Sequence, residues 1–195
     1  MEILKNSYNG TILVPAETLF LDQRIVFING ETTQEMANEF AKQMLYLTLV
    51  DKETPIKILI NSEGGEIDAG LKMCDIVSEC PCKTDAYCFG KAYSMAAILF
   101  ESVNGTRYMI GHSKLMFHQP SISGSIQKNA GEMEELSAQL KEKNELLLRI
   151  VSEKSGISLA KLKKETEKDR FYDAEEANKT GLSDQTVTFS DIILQ

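Results

Sequence analysis

Three short apolar, β-branched runs constrain this chain most: residues 24–28 (RIVFI), 56–60 (IKILI) and 84–89 (TDAYCF). Each suits one buried strand, each leads into glycine, and each is followed by a helical pattern. After the first, Asn29-Gly30 reads as a turn. Thr32 and Thr33 then offer a cap, and Met36, Phe40, Met44 and Leu47 recur at spacings of four and three up to about Val50. After the second, a helix is expected over residues 66–79, with Ile67, Leu71, Cys74 and Val77 on one side and Pro81 breaking it. After the third, Gly90 lets the chain turn, and residues 92–102 are apolar on nearly every side, which predicts a buried helix. Residues 107–110 and 114–117 read as two more strands. Strands alternating with helices predict an α/β fold with parallel pairing, because each crossover helix returns the chain to the sheet in the same direction.

Beyond these, residues 121–125 (SISGS) read as a loop or weak strand. A long helix is expected from near Asn129, with Glu132 as its capping-box partner and Gly156 as its stop. Met133, Leu136, Leu140, Leu147 and Ile150 give it one apolar stripe, which serves either the core or a partner. Ser158 caps a helix running to about Lys168, and Asp173 with Glu176 opens a shorter one that Gly181 ends. Without internal repeats or an interdomain linker, residues 1–195 read as a single domain.

Composition excludes several classes of function. With 21 basic and 29 acidic residues the net charge is −8, a poor match for a nucleic-acid backbone. The first ten residues are polar where a signal peptide would be apolar, and no apolar run is long enough for a bilayer. A soluble cytoplasmic protein, not associated with membranes, is therefore expected. Cys74 and Cys88 lie in apolar segments and read as small core residues. Cys80-Pro81-Cys82 lacks zinc spacing and has no nearby histidine, so neither a metal nor a disulfide is expected. No G-x-G-x-x-G or phosphate loop is present, so no cofactor is expected.

Candidates for chemistry are few. Ser94 follows a strand and a glycine and opens a buried helix, where free N–H groups and the helix dipole favour developing negative charge. It serves either as a nucleophile or as a helix cap. His118 is one of two histidines; it ends an apolar strand ahead of Gln119-Pro120, and proline stops the ladder there and leaves the imidazole at an edge. His112, in a Gly-His-Ser turn, reads as structural. Spacing cannot select a carboxylate from 29 acidic residues, although Asp169 sits between a helix and the apolar pair Phe171-Tyr172. Gly64 and Gly65 follow a buried strand and permit close backbone approach, so one N–H there and that of Met95 are candidate oxyanion donors.

Several segments in order resemble the family of Clp protease proteolytic subunits: INSEGG at 60–65 with AGL at 69–71, GKAYSMA at 90–96, MFHQP at 116–120, and TEKDRF at 166–171 followed by AEEA and GL. The resemblance covers about residues 24–187. It implies a crotonase-like α/β spiral, with Ser94 as nucleophile, His118 as base, Asp169 as orienting acid and the N–H groups of Gly65 and Met95 as oxyanion hole. It implies that substrate main chain pairs with edges at Gly64 and at Ser121, Ile122 and Ser123. It further implies heptameric rings stacked as a tetradecamer, with residues of about 121–153 as the ring-to-ring handle and residues 1–22 as an axial segment. The implied substrates are unfolded proteins fed by a hexameric Clp-type ATPase, with ATP bound by that partner and not by this chain.

Three positions beside the implied site depart from the family: Glu63 replaces the usual proline, Lys91 a glutamine and Tyr93 a small residue. Residues 121–127 lack the family's glycine-rich pattern, and the first twenty or so match poorly. Two alternatives to an active peptidase follow: a weakly active or regulatory ring subunit working beside an active paralogue, and an acyl-CoA enzyme sharing the crotonase fold.

Overall fold

The computed structural model describes residues 1–8, 10–121 and 129–194. Strands β3 (Ile25–Thr32), β4 (Ile56–Gly65), β5 (Thr84–Tyr93) and β6 (Arg107–Ile110) form a parallel sheet, extended by β9 (Gln185–Val187) beside β6. Helices α2 (Gln34–Val50) and α3 (Ile67–Ser78) make the crossovers, as the apolar periodicity predicts. Thr33 caps α2 by accepting from Met36 N–H. The sheet is apolar on both faces. Val26, Ile58, Ile60, Ala86 and Cys88 belong to the larger core under α2, α3 and α4 (Met95–Ser102). On the other face Leu59, Tyr87, Val187 and Ile192 form a second cluster, in which Tyr87 stacks on Tyr108 at 4.6 Å.

Two expected turns are bulges inside longer strands. Strand β3 runs through Asn29 and Gly30, and its register against β4 shifts between Asn29 and Glu31. Strand β5 runs through Gly90, whose φ is +108°. Glycine there bends a strand instead of ending it. The consequence at β5 is topological. Ala86, Tyr87 and Cys88 pair with β6, whereas Lys91, Ala92 and Tyr93 pair with β7 (Lys114–Phe117). Strand β7 in turn pairs antiparallel with β8 (Arg170–Asp173), an element absent from the sequence expectation. The helix expected from residue 92 starts only at Met95, because β5 continues to Tyr93.

The expected capping box is present at Asn129 and Glu132, and α5 (Ala130–Ser155) ends at Gly156 in the left-handed conformation. Of α5, only Leu147, Leu148 and Val151 are buried, whereas Met133 is exposed. Helix α6 (Leu159–Glu165) is shorter than the expected run to Lys168. Asp173 caps α7 (Ala174–Thr180), but the Glu176 carboxylate binds Arg170. At the N-terminus β1 (Glu2–Ser7) and β2 (Gly10–Pro15) form an antiparallel hairpin ahead of α1 (Ala16–Asp22), and a last helix, α8 (Phe189–Leu194), follows β9. No helix among the described residues is long and apolar enough to cross a membrane. Cys74 and Cys88 are buried free thiols, pushed up to about 12 by burial.

The far end of α4 is held by a buried guanidinium. Arg107 donates to Glu101 at 2.5 Å and, through Nε and Nη2, to Asp184 at 3.1 and 2.6 Å. One guanidinium does not neutralise two carboxylates in a dry site. Asp184 is partly solvated, and its bonds from Arg107 overcome burial and hold it below its ordinary value. Glu101 is fully buried, and burial pushes it from 4.5 up to about 8 against the pull of Arg107. Between those values the unfolded chain has Glu101 ionised while the folded chain keeps the proton, so this group weakens the fold as pH rises. The stability of Glu101→Gln relative to the parent is expected to increase from pH about 4.5 to about 8. Urea-unfolding midpoints across that range read the difference, and a difference independent of pH contradicts the assignment.

Candidate active site

Ser94 sits between β5 and α4 with φ +53° and ψ −123°, a conformation that L-residues avoid. Several contacts hold it there. Its N–H donates to Met116 O of β7 at 2.8 Å, and its carbonyl accepts from Ala97 and Ile98 of α4. Gly64, with φ +86°, lies so close that a Cβ on it would stand 2.6 Å from Tyr93 O, 2.8 Å from Met95 N and 2.9 Å from Ser94 Cβ. Ser94 thus occupies a sharp strand-to-helix turn. Its side chain makes no capping bond to α4. Instead Ser94 Oγ lies 2.8 Å from His118 Nε2.

His118 follows the last residue of β7, as the proline two residues on leads one to expect. The β7–β8 register pairs Phe117 with Arg170, and one further step sets His118 opposite Asp169. Their separation is 3.8 Å from Nδ1 to Oδ1, with the imidazole side chain 27% and the carboxylate 62% exposed. This is ion-pair range and longer than a hydrogen bond. The three side chains therefore line up in the order Ser94, His118, Asp169, with a tight first contact and a loose second one.

Gly65 borders the same cleft, of about 680 Å³, together with Ser94, His118, Pro120 and Ser121. The ladder bond to Thr32 O at this step comes from Glu66 N–H at 2.8 Å. Met95 is the first residue of α4, so its N–H has no partner within the helix. Ser94 therefore stands at the positive end of that helix. Gly64 packs beneath Ser94 and supports it. Ile122 and Ser123 lie outside the described residues.

A second, smaller space of about 30 Å³ adjoins Ser94 and His118. Its walls include Ile67, Ile98, Phe117, Leu147 and Leu148. Leu147 was legible as part of the α5 stripe, but only the packing of α5 against α4 brings it to the serine. Acidic side chains of Glu31, Glu66 and Asp68 border the open cleft, and Lys143 of α5 pairs with Asp68 at 2.6 Å. No group of three or more potential metal ligands occurs among the described residues.

Glu63, Lys91 and Tyr93 are linked. Lys91 Nζ binds Glu63 at 3.0 Å, and the lysine's hydrogen bond holds the Glu63 carboxyl below its ordinary value. The same ammonium lies 6.0 Å from the Tyr93 ring centre, and Tyr93 meets Phe171 edge-on at 5.5 Å.

A family model described as Clp protease matches residues 11–190. Among curated relatives, ATP-dependent Clp protease proteolytic subunit 3 of Synechococcus sp. (strain CC9605) is 36% identical over 167 residues, 85% of this chain and 83% of that protein. Proteolytic subunit 1 of Chlamydia felis (strain Fe/C-56) is 34% identical over 187 residues, covering 95% of this chain and 91% of that one. Proteolytic subunit 2 of Chlamydia pneumoniae is 35% identical over the same length, with 95% and 91% coverage.

The close approach at Gly64 can be separated from the cost of positive φ by comparison with Gly30, which has φ +82° and nothing within 4 Å of an added Cβ. Gly30→Ala is expected to destabilise by about 1–2 kcal/mol, the left-handed penalty alone. Gly64→Ala is expected to cost about 3 kcal/mol or more, because backbone atoms of Tyr93 and Met95 must move as well. Urea unfolding of the two variants checks this, and equal costs would remove the packing role assigned to Gly64.

Proposed function

The chain belongs to the Clp protease family, and on that footing we propose that it is a proteolytic subunit of an ATP-dependent Clp protease, a serine endopeptidase acting on unfolded polypeptides. The observation that carries the reading is the 2.8 Å contact between His118 Nε2 and the Oγ of a strained serine that does not cap its own helix. In this reading Ser94 Oγ attacks the peptide carbonyl carbon while His118 Nε2 takes its proton. Asp169 keeps the imidazole in the tautomer with hydrogen on Nδ1 and stabilises the imidazolium. The N–H groups of Gly65 and Met95 receive the developing oxyanion. His118 then returns the proton to the departing amine, and water repeats the sequence to release the acyl group.

The substrate main chain would run along the edges at Gly64 and at Ser121, Ile122 and Ser123, as β-augmentation. The small apolar space beside Ser94 favours a compact apolar side chain at the scissile residue. The rest of the reading rests on family membership: a crotonase-like spiral, heptameric rings stacked as a tetradecamer in the cytoplasm, α5 as the handle between rings, and a hexameric ATPase that binds ATP and feeds the chamber. The departures that motivate a weakly active ring subunit lose their force, since Glu63 and Lys91 satisfy each other and Tyr93 contacts Phe171.

A fluorophosphonate probe tests the reading. Intact mass is expected to show one adduct on the parent and none on Ser94→Ala, and His118→Ala is expected to slow labelling by about 10³-fold or more. A folded, assembled parent that takes no adduct would overturn the peptidase reading and favour the regulatory ring subunit.

A further inference from the structure

The contact between His118 and Asp169 depends on where β8 sits; buried Tyr172 holds one face of that strand in the core, whereas the face that carries Phe171 is open. β8 is a four-residue strand whose only ladder among the described residues is with β7. Asp169 lies just outside that ladder, and among the described residues its one ion-pair contact is the 3.8 Å approach to His118. A short edge strand frays, so a second restraint on β8 bears directly on this distance.

Tyr93 supplies such a restraint. Register pairs Tyr93 with Met116 on β7, and Met116 with Phe171 on β8. The three side chains therefore form one row across three strands on one face, opposite the face that buries Leu115 and Tyr172. His118 and Asp169 stand two residues further along β7 and β8, on that same face. Within the row, the rings of Tyr93 and Phe171 reach past Met116 and meet at 5.5 Å with an interplanar angle of 86°. Edge-to-face contact of this kind is directional, so it fixes spacing as well as adding burial. Phe171 remains 43% exposed, so the core does not hold it in place. At the other end Tyr93 is anchored by the strand that carries Ser94, with Lys91 on its ring and Glu63 on Lys91.

We propose that Tyr93 is a positioning residue: by clasping Phe171 across Met116 it holds β8 against the sheet and sets the Asp169 carboxylate opposite His118. The proposal rests on the peptidase reading, and it makes the chain's departure at Tyr93 part of the site's construction.

The test uses the purified full-length chain with a fluorogenic peptide, after circular dichroism and sizing show each variant folded and assembled like the parent. Tyr93→Ala is expected to lower kcat about tenfold with KM within about twofold, the size expected when a catalytic group is displaced slightly. Tyr93→Phe keeps the ring and is expected to retain at least about half of kcat, since the edge contact needs no hydroxyl. In an Asp169→Asn background, Tyr93→Ala is expected to add less than about a twofold loss, because the two act through one contact. Phe171→Ala removes the clasp from the exposed side and is expected to reproduce the Tyr93→Ala loss without exceeding it in the double variant. It carries the test if Tyr93→Ala does not fold. Full additivity with Asp169→Asn, or a Tyr93→Phe loss equal to that of Tyr93→Ala, overturns the positioning role and leaves the peptidase reading intact. A parent that takes no fluorophosphonate adduct at Ser94 overturns both.

Discussion

Strand β5 keeps one partner, β6, over Ala86, Tyr87 and Cys88, and another, β7, over Lys91, Ala92 and Tyr93. Between the two halves Gly90 adopts φ +108°, and a Cβ there would stand 2.9 Å from Asn61 Oδ1. Against β4 the register moves from Ile60–Cys88 to Ser62–Ala92, so β5 carries two extra residues at this point. The bulge turns the end of β5 out of the main sheet and toward β7. Ser94 can donate its N–H to Met116 O only because of that turn, and His118 can reach Ser94 Oγ only because β7 runs alongside. The sheet therefore divides at Gly90, and the cleft opens past the division, beyond the carboxyl ends of β4 and β5.

The positive φ of Ser94 follows from the same geometry. A chain leaving β5 and entering α4 within one residue must make a sharp corner, and a non-glycine residue there costs on the order of 1–3 kcal/mol. Contacts on each side offset that cost: Gly64 against its backbone below, Met116 O on its N–H, and α4, buried along nearly its whole length, behind it. At its far end α4 carries Glu101 into the Arg107–Asp184 cluster, which ties the helix to β6 and to the start of β9. The helix is thus fixed at both ends, and Ser94 stands at its N-terminal, positive end. For the peptidase reading proposed above, such a frame would fix the Ser94 hydroxyl before substrate arrives, as electrostatic stabilisation of an oxyanion requires.

How much of this was legible in the chain depended on the range of the interaction. The α2 and α3 crossovers, the Asn129 capping box and the Gly156 stop are local, and period, cap and glycine mark them in sequence. Ser94 and His118 were legible as candidates because a strand end and a proline mark them. Their 2.8 Å meeting was not, since it depends on the β5–β7 register. The bulges at Gly30 and Gly90 read as turns because glycine with positive φ serves both, and only the neighbouring strands distinguish the two uses. Strand β8 was missed for a related reason. It is a four-residue edge element whose pairing with β7 spans a long loop closure, and RFYD has no alternation long enough to announce a strand. The identity of Asp169 therefore came only from the resemblance, because nothing local separates it from the other carboxylates.

The unequal spacing along Ser94, His118 and Asp169 has a structural cause as well. Ser94 and His118 directly follow adjoining strands, β5 and β7, that are joined through the core, so their distance is set by a buried framework. His118 and Asp169 face each other one step past the end of a ladder, where no backbone bond holds the pair and the carboxylate is mostly in solvent. Coulombic attraction at that exposure is weak and screened, so it cannot by itself hold the geometry. Packing has to do so, and the packing nearest to hand is aromatic: Phe117 against Tyr172 on the buried face at 6.0 Å, and Tyr93 against Phe171 on the cleft face at 5.5 Å. The two contacts grip β8 from opposite sides of the sheet. The buried one is part of the core. The exposed one depends on a ring at position 93, immediately before the serine it serves.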